Sequence, residues 1–98
     1  MIKEWLNKED TLMSGERVGE VTHYFDRIAV AAILLTGTLH KGDLVHFLGH
    51  GSDFSQEITS IQVEHETIET AVKGQEIAVK VIKPVKQHTA VFLVTGEE

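Results

Sequence analysis

One stretch of the sequence constrains the fold more than any other: an apolar run, a glycine-marked polar connection and a second apolar run. The first run spans 28–35, the connection 36–43 and the second run 44–48. Glycine supplies the positive φ angles that a bend between strands requires, and the β-branched and aromatic residues of both runs favour strands. Because the first run is apolar at both parities, we predict a strand covered on both faces.

An alternation of apolar and polar residues with a period of two recurs along the rest of the chain. It occurs in 17–25, 54–65, 76–82 and 89–95, and connections rich in glycine or polar residues separate these segments. Six strands about 10–15 residues apart, with no long helical pattern, predict an all-β fold. We expect a small, closed, six-stranded antiparallel barrel of Greek-key-like topology, formed by residues 17–98.

The segment 1–16 has a different pattern from the rest of the chain. Ile2, Trp5 and Leu6 lie three and four residues apart, which would place them on one face of a short helix. Two interpretations are open: an N-terminal helix that caps the barrel, or an anchor in which Trp5 contacts a partner or a second copy of the chain.

Composition and charge limit the classes of function. Ninety-eight residues correspond to one domain, and a net charge of −6 argues against general nucleic-acid binding, which depends on lysine and arginine. The absence of cysteine excludes disulfides and thiolate metal sites. No apolar run approaches the roughly 20 residues of a membrane span, and no signal peptide is recognisable. We predict a cytoplasmic protein that does not enter membranes.

Six histidines in so short a chain are the one unusual feature of the composition. His46, His50 and Asp53 lie close together in sequence, and imidazole and carboxylate groups bind zinc when they converge at about 2.0–2.2 Å from one point. No HExxH or similar spacing occurs, so scattered surface histidines are the main interpretation and a metal site is the alternative. His23 and His65 share the parity of apolar neighbours, which predicts hydrogen-bonded core or barrel-end residues rather than catalytic ones.

Catalytic residues are not predicted. Ser52, Asp53 and His50 are the residue types of a catalytic triad, but they occupy one short loop and lack a strained turn such as GxSxG. Paired carboxylates occur without a recognisable cleft. The sequence therefore predicts no enzyme activity and no cofactor. The one basic cluster is a solvated face, with phosphate contact as the alternative, and it consists of Lys80, Lys83 and Lys86.

Several short motifs follow one another in a familiar order. They are Gly19-x-Val21, Gly37-x-Leu39-x-Lys41-Gly42-Asp43-x-Val45, Ser60-Ile61-x-Val63-Glu64 and Ala71-x-x-Gly74-x-x-Ile77-Ala78-Val79. This order resembles the second domain of translational GTPases, and in particular the small stand-alone translation elongation factor-like proteins. The resemblance covers roughly residues 17–95 and implies the same six-stranded barrel.

The resemblance implies a non-catalytic binding module that docks to a protein, RNA or ribonucleoprotein partner. The motif GxxxxGK[ST] is absent, so GTP hydrolysis is not expected. Glu64 matches a glutamate beside the terminal adenosine of tRNA in the family, which implies tRNA or rRNA contact, whereas Thr38 replaces the arginine of the family's turn. A metal- or ligand-binding barrel and a self-associating structural domain are the alternatives. The candidate contact residues are His50, Asp53, Phe54, Glu64, Lys80, Lys83 and Lys86.

Overall fold

The computed structural model describes residues 15–94, which form ten β-strands and no helix. All pairings between these strands are antiparallel. Over the same residues, nothing resembles a helix long and apolar enough to cross a membrane. The strands are β1 (Glu16–Phe25), β2 (Val30–Leu35), β3 (Leu39–His40), β4 (Leu44–Gly49), β5 (Ser52–Glu57), β6 (Ile61–Val63), β7 (Glu66–Ile68), β8 (Thr70–Ala71), β9 (Glu76–Lys80) and β10 (Ala90–Leu93).

The strands form one large sheet and one small sheet. The large sheet has the order β5-β4-β10-β1-β2-β9-β6-β7, and β3 pairs with β8 in the small sheet. The prediction of an all-β antiparallel fold is confirmed, but six strands and a closed barrel are not. In the described part of the chain no backbone ladder joins the edge strands β5 and β7. The strand count differs for three reasons: the predicted strand 54–65 divides into β5 and β6, the predicted connection 36–43 contains β3, and the polar connection after residue 65 contains β7 and β8.

The apolar run 28–35 does not form a strand that is covered on both faces, as the sequence predicted. Its inward residues Ile33 and Leu35 are buried, whereas Ile28 and Leu34 are 60% and 43% exposed. β2 lies between β1 and β9 in the sheet, and one of its faces remains open to solvent. The continuous apolar run therefore corresponds to a strand in the interior of the sheet, but only one face of that strand is buried in the core.

The core lies on the inner face of the large sheet. Phe47 and Phe54, on paired strands, stack with their ring centroids 5.0 Å apart. Gly19 allows β1 to approach β2 beside a bulge, since a Cβ at this position would lie 2.7 Å from Ile33 Cγ2. The largest fully buried side chains are Val18, Val21, Ile33, Leu35, Leu39, Val45, Phe47, Ile58, Ile61, Ile77, Val79 and Val91.

A buried glutamine brings two distant strands of the sheet order together. Gln56 on β5 is 7% exposed, and its Nε2 donates to the carbonyl oxygen of Lys80 at 2.8 Å. Its Oε1 accepts from the main-chain N–H of Ile82, also at 2.8 Å. The side-chain amide thus imitates a peptide group of a neighbouring strand and holds β5 against the end of β9. The sheet is strongly curled as a result.

Two hairpins have two-residue turns whose conformation is left-handed. His50 and Gly51, with φ angles of 52° and 91°, join β4 to β5, and Glu64 and His65, with φ angles of 51° and 71°, join β6 to β7. Positive φ at both central residues is the geometry of a type I′ turn, whose twist matches that of the flanking strands. The predicted loop 49–53 is therefore a tight hairpin turn.

Candidate functional site

A groove crosses the outer face of the large sheet over β2, β9 and β6, and its volume is about 590 Å³. Ala32 and Ala78 are paired across β2 and β9 and form its floor. Because alanine projects only a methyl group, the sheet surface is low at this pair while longer side chains rise around it. We call this feature the alanine groove. Its lining includes Phe25, Ile28, Val30, Gln62, Glu64, His65 and Glu76.

One end of the alanine groove is apolar. Phe25 and Val30 are paired at the turn between β1 and β2, and Ile28 lies within that turn. Phe25 is 45% exposed and Ile28 is 60% exposed, and both line the groove. The ring of His23 packs against Phe25 with a centroid distance of 4.4 Å. The apolar end is therefore a solvent-accessible hydrophobic surface, in which the ring of His23 packs against one side of Phe25.

The other end of the alanine groove is acidic. Ala78 pairs with Gln62, and the same antiparallel register places Glu76 opposite position 64. Thr22 Oγ1 donates to Glu76 Oε2 at 2.5 Å and fixes that carboxylate. Neither Glu64 nor Glu76 forms an ion pair with another residue of the range 15–94. Among residues 15–94 no lysine or arginine lines the groove, so the described part of this end carries two carboxylates and no balancing cation.

A second polar constellation lies on the hairpin of β4 and β5. Ser55 Oγ is 2.7 Å from Nδ1 of His46, and Nε2 of His46 is 2.8 Å from Oδ1 of Asp53. With a neutral ring, Nε2–H donates to the carboxylate and the serine hydroxyl donates to Nδ1. We call these three side chains the His46 relay. They link serine, histidine and aspartate in the order of a catalytic triad, but the two ring nitrogens are exchanged, because in a triad the serine bonds to Nε2 and the aspartate to Nδ1.

Sequence reasoning weighed a different serine and a different histidine and predicted no triad from them. It combined Ser52 and His50 because they are neighbours in sequence, whereas His46 and Ser55 are cross-strand partners. The missed signal was the His50-Gly51 pair, because a two-residue hairpin turn there fixes the register that pairs positions 46 and 55. Only Asp53 belongs to both sets.

The His46 relay lacks the surroundings of a catalytic triad. The side chain of His46 is 14% exposed, but that of Asp53 is 76% exposed, so water competes for the carboxylate that would orient the ring. Neither the alanine groove nor the cleft beside Gln56 is lined by any of the three residues. Neither of these two clefts could therefore hold an acyl group beside Ser55. The arrangement links side chains of the two paired strands of the hairpin.

The other predicted site residues are dispersed over the structure. The ring of His50 faces that of His88 with a centroid distance of 6.1 Å, and Phe54 belongs to the core at 8% exposure. No group of three histidine or acidic residues within 15–94 could hold a metal ion. The alternative metal site is unsupported because His46 and Asp53 bond to each other while His50 turns towards His88.

The predictions for the lysine cluster and for His23 and His65 have different outcomes. Lys80 and Lys86 are exposed, and Nζ of Lys83 lies 5.6 Å from the centroid of the Phe54 ring. A partner contact for these lysines stays a prediction, as it does for Glu64. The prediction of core positions for His23 and His65 is wrong because both residues are exposed, and His65 belongs to a hairpin turn.

One surface ion pair lowers the pKa of a carboxyl group. The Nδ1–H of His88 donates to Oε2 of Glu20 at 2.8 Å, and Arg17 contacts the other carboxylate oxygen at 3.2 Å. The hydrogen bond from His88 holds the pKa of the Glu20 carboxyl below its ordinary value of 4.5, and the nearby positive charges act in the same direction. This pair lies on β1 and in the turn before β10, outside the alanine groove.

Comparison with known proteins identifies relatives of a different kind from those the sequence suggested. No family model matches the chain. An uncharacterized protease of Methanocaldococcus jannaschii is 30% identical over 77 residues, which are 78% of this chain and 19% of the protease. A collagenase of Porphyromonas gingivalis is 31% identical over 93 residues, which are 91% of this chain and 26% of the collagenase. The chain therefore spans about a fifth to a quarter of the length of these relatives.

Solved structures give the same picture. Two crystal structures of the C-terminal domain of a Geobacillus thermoleovorans protein assigned to the U32 peptidases superpose with a TM-score of 0.76. One of them is the selenomethionine variant. Sequence identity is 25% in both cases. The match to the variant covers 79% of this chain and 98% of that domain, and the match to the other structure covers 80% and 91%.

The resemblance to the second domain of translational GTPases is wrong, and so is the elongation factor-like binding function drawn from it. The matched motifs mark turns. In the motif at 41–43, Gly42 has a φ of +96°, and Asp43 Oδ2 accepts the N–H of His40 at 2.8 Å. Gly74 has a φ of +94° in another tight connection. Small antiparallel sheets need such residues whatever their function. The chain is similar to the C-terminal domain of a U32 peptidase and to proteins named protease and collagenase.

Proposed function

We propose that this chain is a non-catalytic domain that serves a U32 peptidase-like protein by binding polypeptide rather than by cleaving it. The observation that carries the proposal is the pattern of coverage. The chain matches 98% of an isolated C-terminal domain but only 19% of a protease and 26% of a collagenase. Most of each enzyme therefore lies outside the shared region, which leaves room there for the hydrolytic machinery.

The chemistry of the described residues supports a binding role. The His46 relay is the one serine–histidine–aspartate set connected by hydrogen bonds within 15–94, and its aspartate is largely exposed. A triad accelerates acyl transfer through positioned substrate and oxyanion donors as well as through its three side chains. The alanine groove, by contrast, offers an open apolar surface with charge at one end, which suits recognition.

The experiment is a test for hydrolysis by the purified full chain. Fluorescently labelled gelatin and casein, p-nitrophenyl acetate and a fluorophosphonate probe are each incubated with the native protein and with the variants S55A and H46N. We expect no peptide-bond cleavage, no ester hydrolysis above that of the variants and no probe adduct. Cleavage of labelled gelatin, or a covalent adduct on Ser55 that S55A abolishes, would overturn the proposal.

A further inference from the structure

We infer that the alanine groove binds an extended polypeptide segment with an aliphatic residue at one position and a lysine or arginine two positions away. This inference rests on the proposed function, because it takes polypeptide as the class of ligand. It assigns the groove a specificity, which the binding role alone does not.

The shape of the floor selects the aliphatic residue. Ala32 and Ala78 lower the sheet surface between the longer side chains of Phe25 and Gln62. An aliphatic side chain laid over this pair would contact both methyl groups and the exposed faces of Ile28 and Phe25. Removing these apolar surfaces from water favours binding.

The acidic end selects the basic residue. Glu64 and Glu76 line the same end of the groove and have no cationic partner among residues 15–94. Two adjacent carboxylates repel each other, and a bound cation relieves that repulsion while gaining attraction to both. An acidic side chain at this position of the ligand would be rejected for the same reason. The net charge of −6 adds a general attraction for basic polypeptides.

The spacing between the two selected residues follows from the strand geometry. Ala78 and Glu76 are two residues apart on β9 and project from the same face. Successive residues on one face of a strand are about 7 Å apart. An extended ligand has the same repeat, so its residues at positions i and i+2 match the alanine pair and the carboxylate pair. The ligand residues beyond the aliphatic one, on the side away from the basic residue, then lie over the apolar end at Phe25.

The test uses capped pentapeptides that contain leucine at the second position and arginine at the fourth, with glycine elsewhere. In a matched peptide, citrulline replaces arginine and removes the charge while keeping the shape. In a third, glycine replaces leucine. Binding to the full chain is followed by two-dimensional NMR of backbone amides, which detects weak affinities and maps the site. We expect the amides of Ala32, Gln62 and Ala78 to shift in a saturable way.

At low salt, we expect the arginine peptide to bind about five-fold or more tightly than the citrulline peptide, since exposed ion pairs contribute up to about 1 kcal/mol each. The advantage should disappear near 0.5 M salt because the screening length there is only about 4 Å. In the double variant E64Q/E76Q, the arginine peptide should also lose its advantage over the citrulline peptide. The control E16Q/E57Q removes the same charge from strands outside the groove and should retain it. The variant A78L should bind both leucine-containing peptides, the arginine and the citrulline one, more weakly than the native protein does.

Each outcome has a separate meaning. Equal binding of the arginine and citrulline peptides, or shifts confined to surfaces outside the groove, would overturn this inference and leave the non-catalytic proposal standing. Absence of saturable shifts with all three peptides would also overturn it. Cleavage of the peptides by the native protein would overturn the proposed function itself, whatever the pattern of shifts.

Discussion

Replacing Gln56 with alanine tests how the curled sheet is held together. The Gln56 amide forms two 2.8 Å hydrogen bonds, to the carbonyl oxygen of Lys80 and from the N–H of Ile82, and a third of 3.2 Å to the carbonyl oxygen of Glu57. In Q56A the main-chain groups at 80 and 82 lose these partners in a partly buried position. Since a hydrogen bond contributes about 0.5–1.5 kcal/mol and an unsatisfied buried group costs about 1–3 kcal/mol, we expect a loss of about 2–4 kcal/mol.

Urea unfolding followed by circular dichroism measures this loss as a lower midpoint with an unchanged slope. Amide hydrogen exchange supplies a local reading, because the N–H of Ile82 should lose protection more than the amides of β1 do. The control is Q62A, which truncates an exposed glutamine on β6 and should change stability by less than about 0.5 kcal/mol. A change of that small size in Q56A, or an Ile82 amide as protected as before, would refute the reasoning.

Two further predictions concern turns and pH. Because Glu64 and His65 have φ angles of 51° and 71°, the double variant E64N/H65G should be about 1 kcal/mol more stable than the native protein in urea unfolding, and equal or lower stability would contradict the turn assignment. The hydrogen bond from His88 lowers the pKa of Glu20, so its contribution to stability is complete above the ordinary pKa of 4.5 and is lost as pH falls through the lower folded value. E20Q should therefore flatten the acid limb of the unfolding midpoint below the ordinary pKa of 4.5, and an unchanged acid limb would show that the ion pair is not formed in solution.

The strands with regular alternation could be predicted from the sequence because one face of each is buried. The alternation in 76–82 predicts Ile77, Val79 and Val81 on the inner face and Lys80 on the outer face, and the burial of these residues agrees with it. The predicted strand 17–25 corresponds to β1. Local periodicity is sufficient wherever the inner and outer faces of a strand differ in polarity.

The short strands and the groove could not be predicted in this way. β7 and β8 are three and two residues long, and Glu64-His65 adopts a turn usually formed by asparagine and glycine. The groove depends on the registers that place Ala32, Ala78 and Gln62 side by side, and these residues are far apart in sequence. Glu64 was selected as a contact from a family resemblance that is wrong. Its location at the groove could be found only from the pairing of β6 with β9.

At the floor of the alanine groove, the directly opposed residues Ala32 and Ala78 are too small to make large cross-strand side-chain contacts. Alanine is uncommon in strands, and larger side chains at a directly opposed pair contribute about 0.2–1 kcal/mol relative to alanine. Ala78 is only partly buried on the outer face, so a leucine there has open space to occupy. We therefore expect A78L to be at least as stable as the native protein, and its weaker binding of peptides to result from the filled groove. A loss of more than about 1 kcal/mol in A78L would indicate overpacking at this position, and the floor would then not be open space.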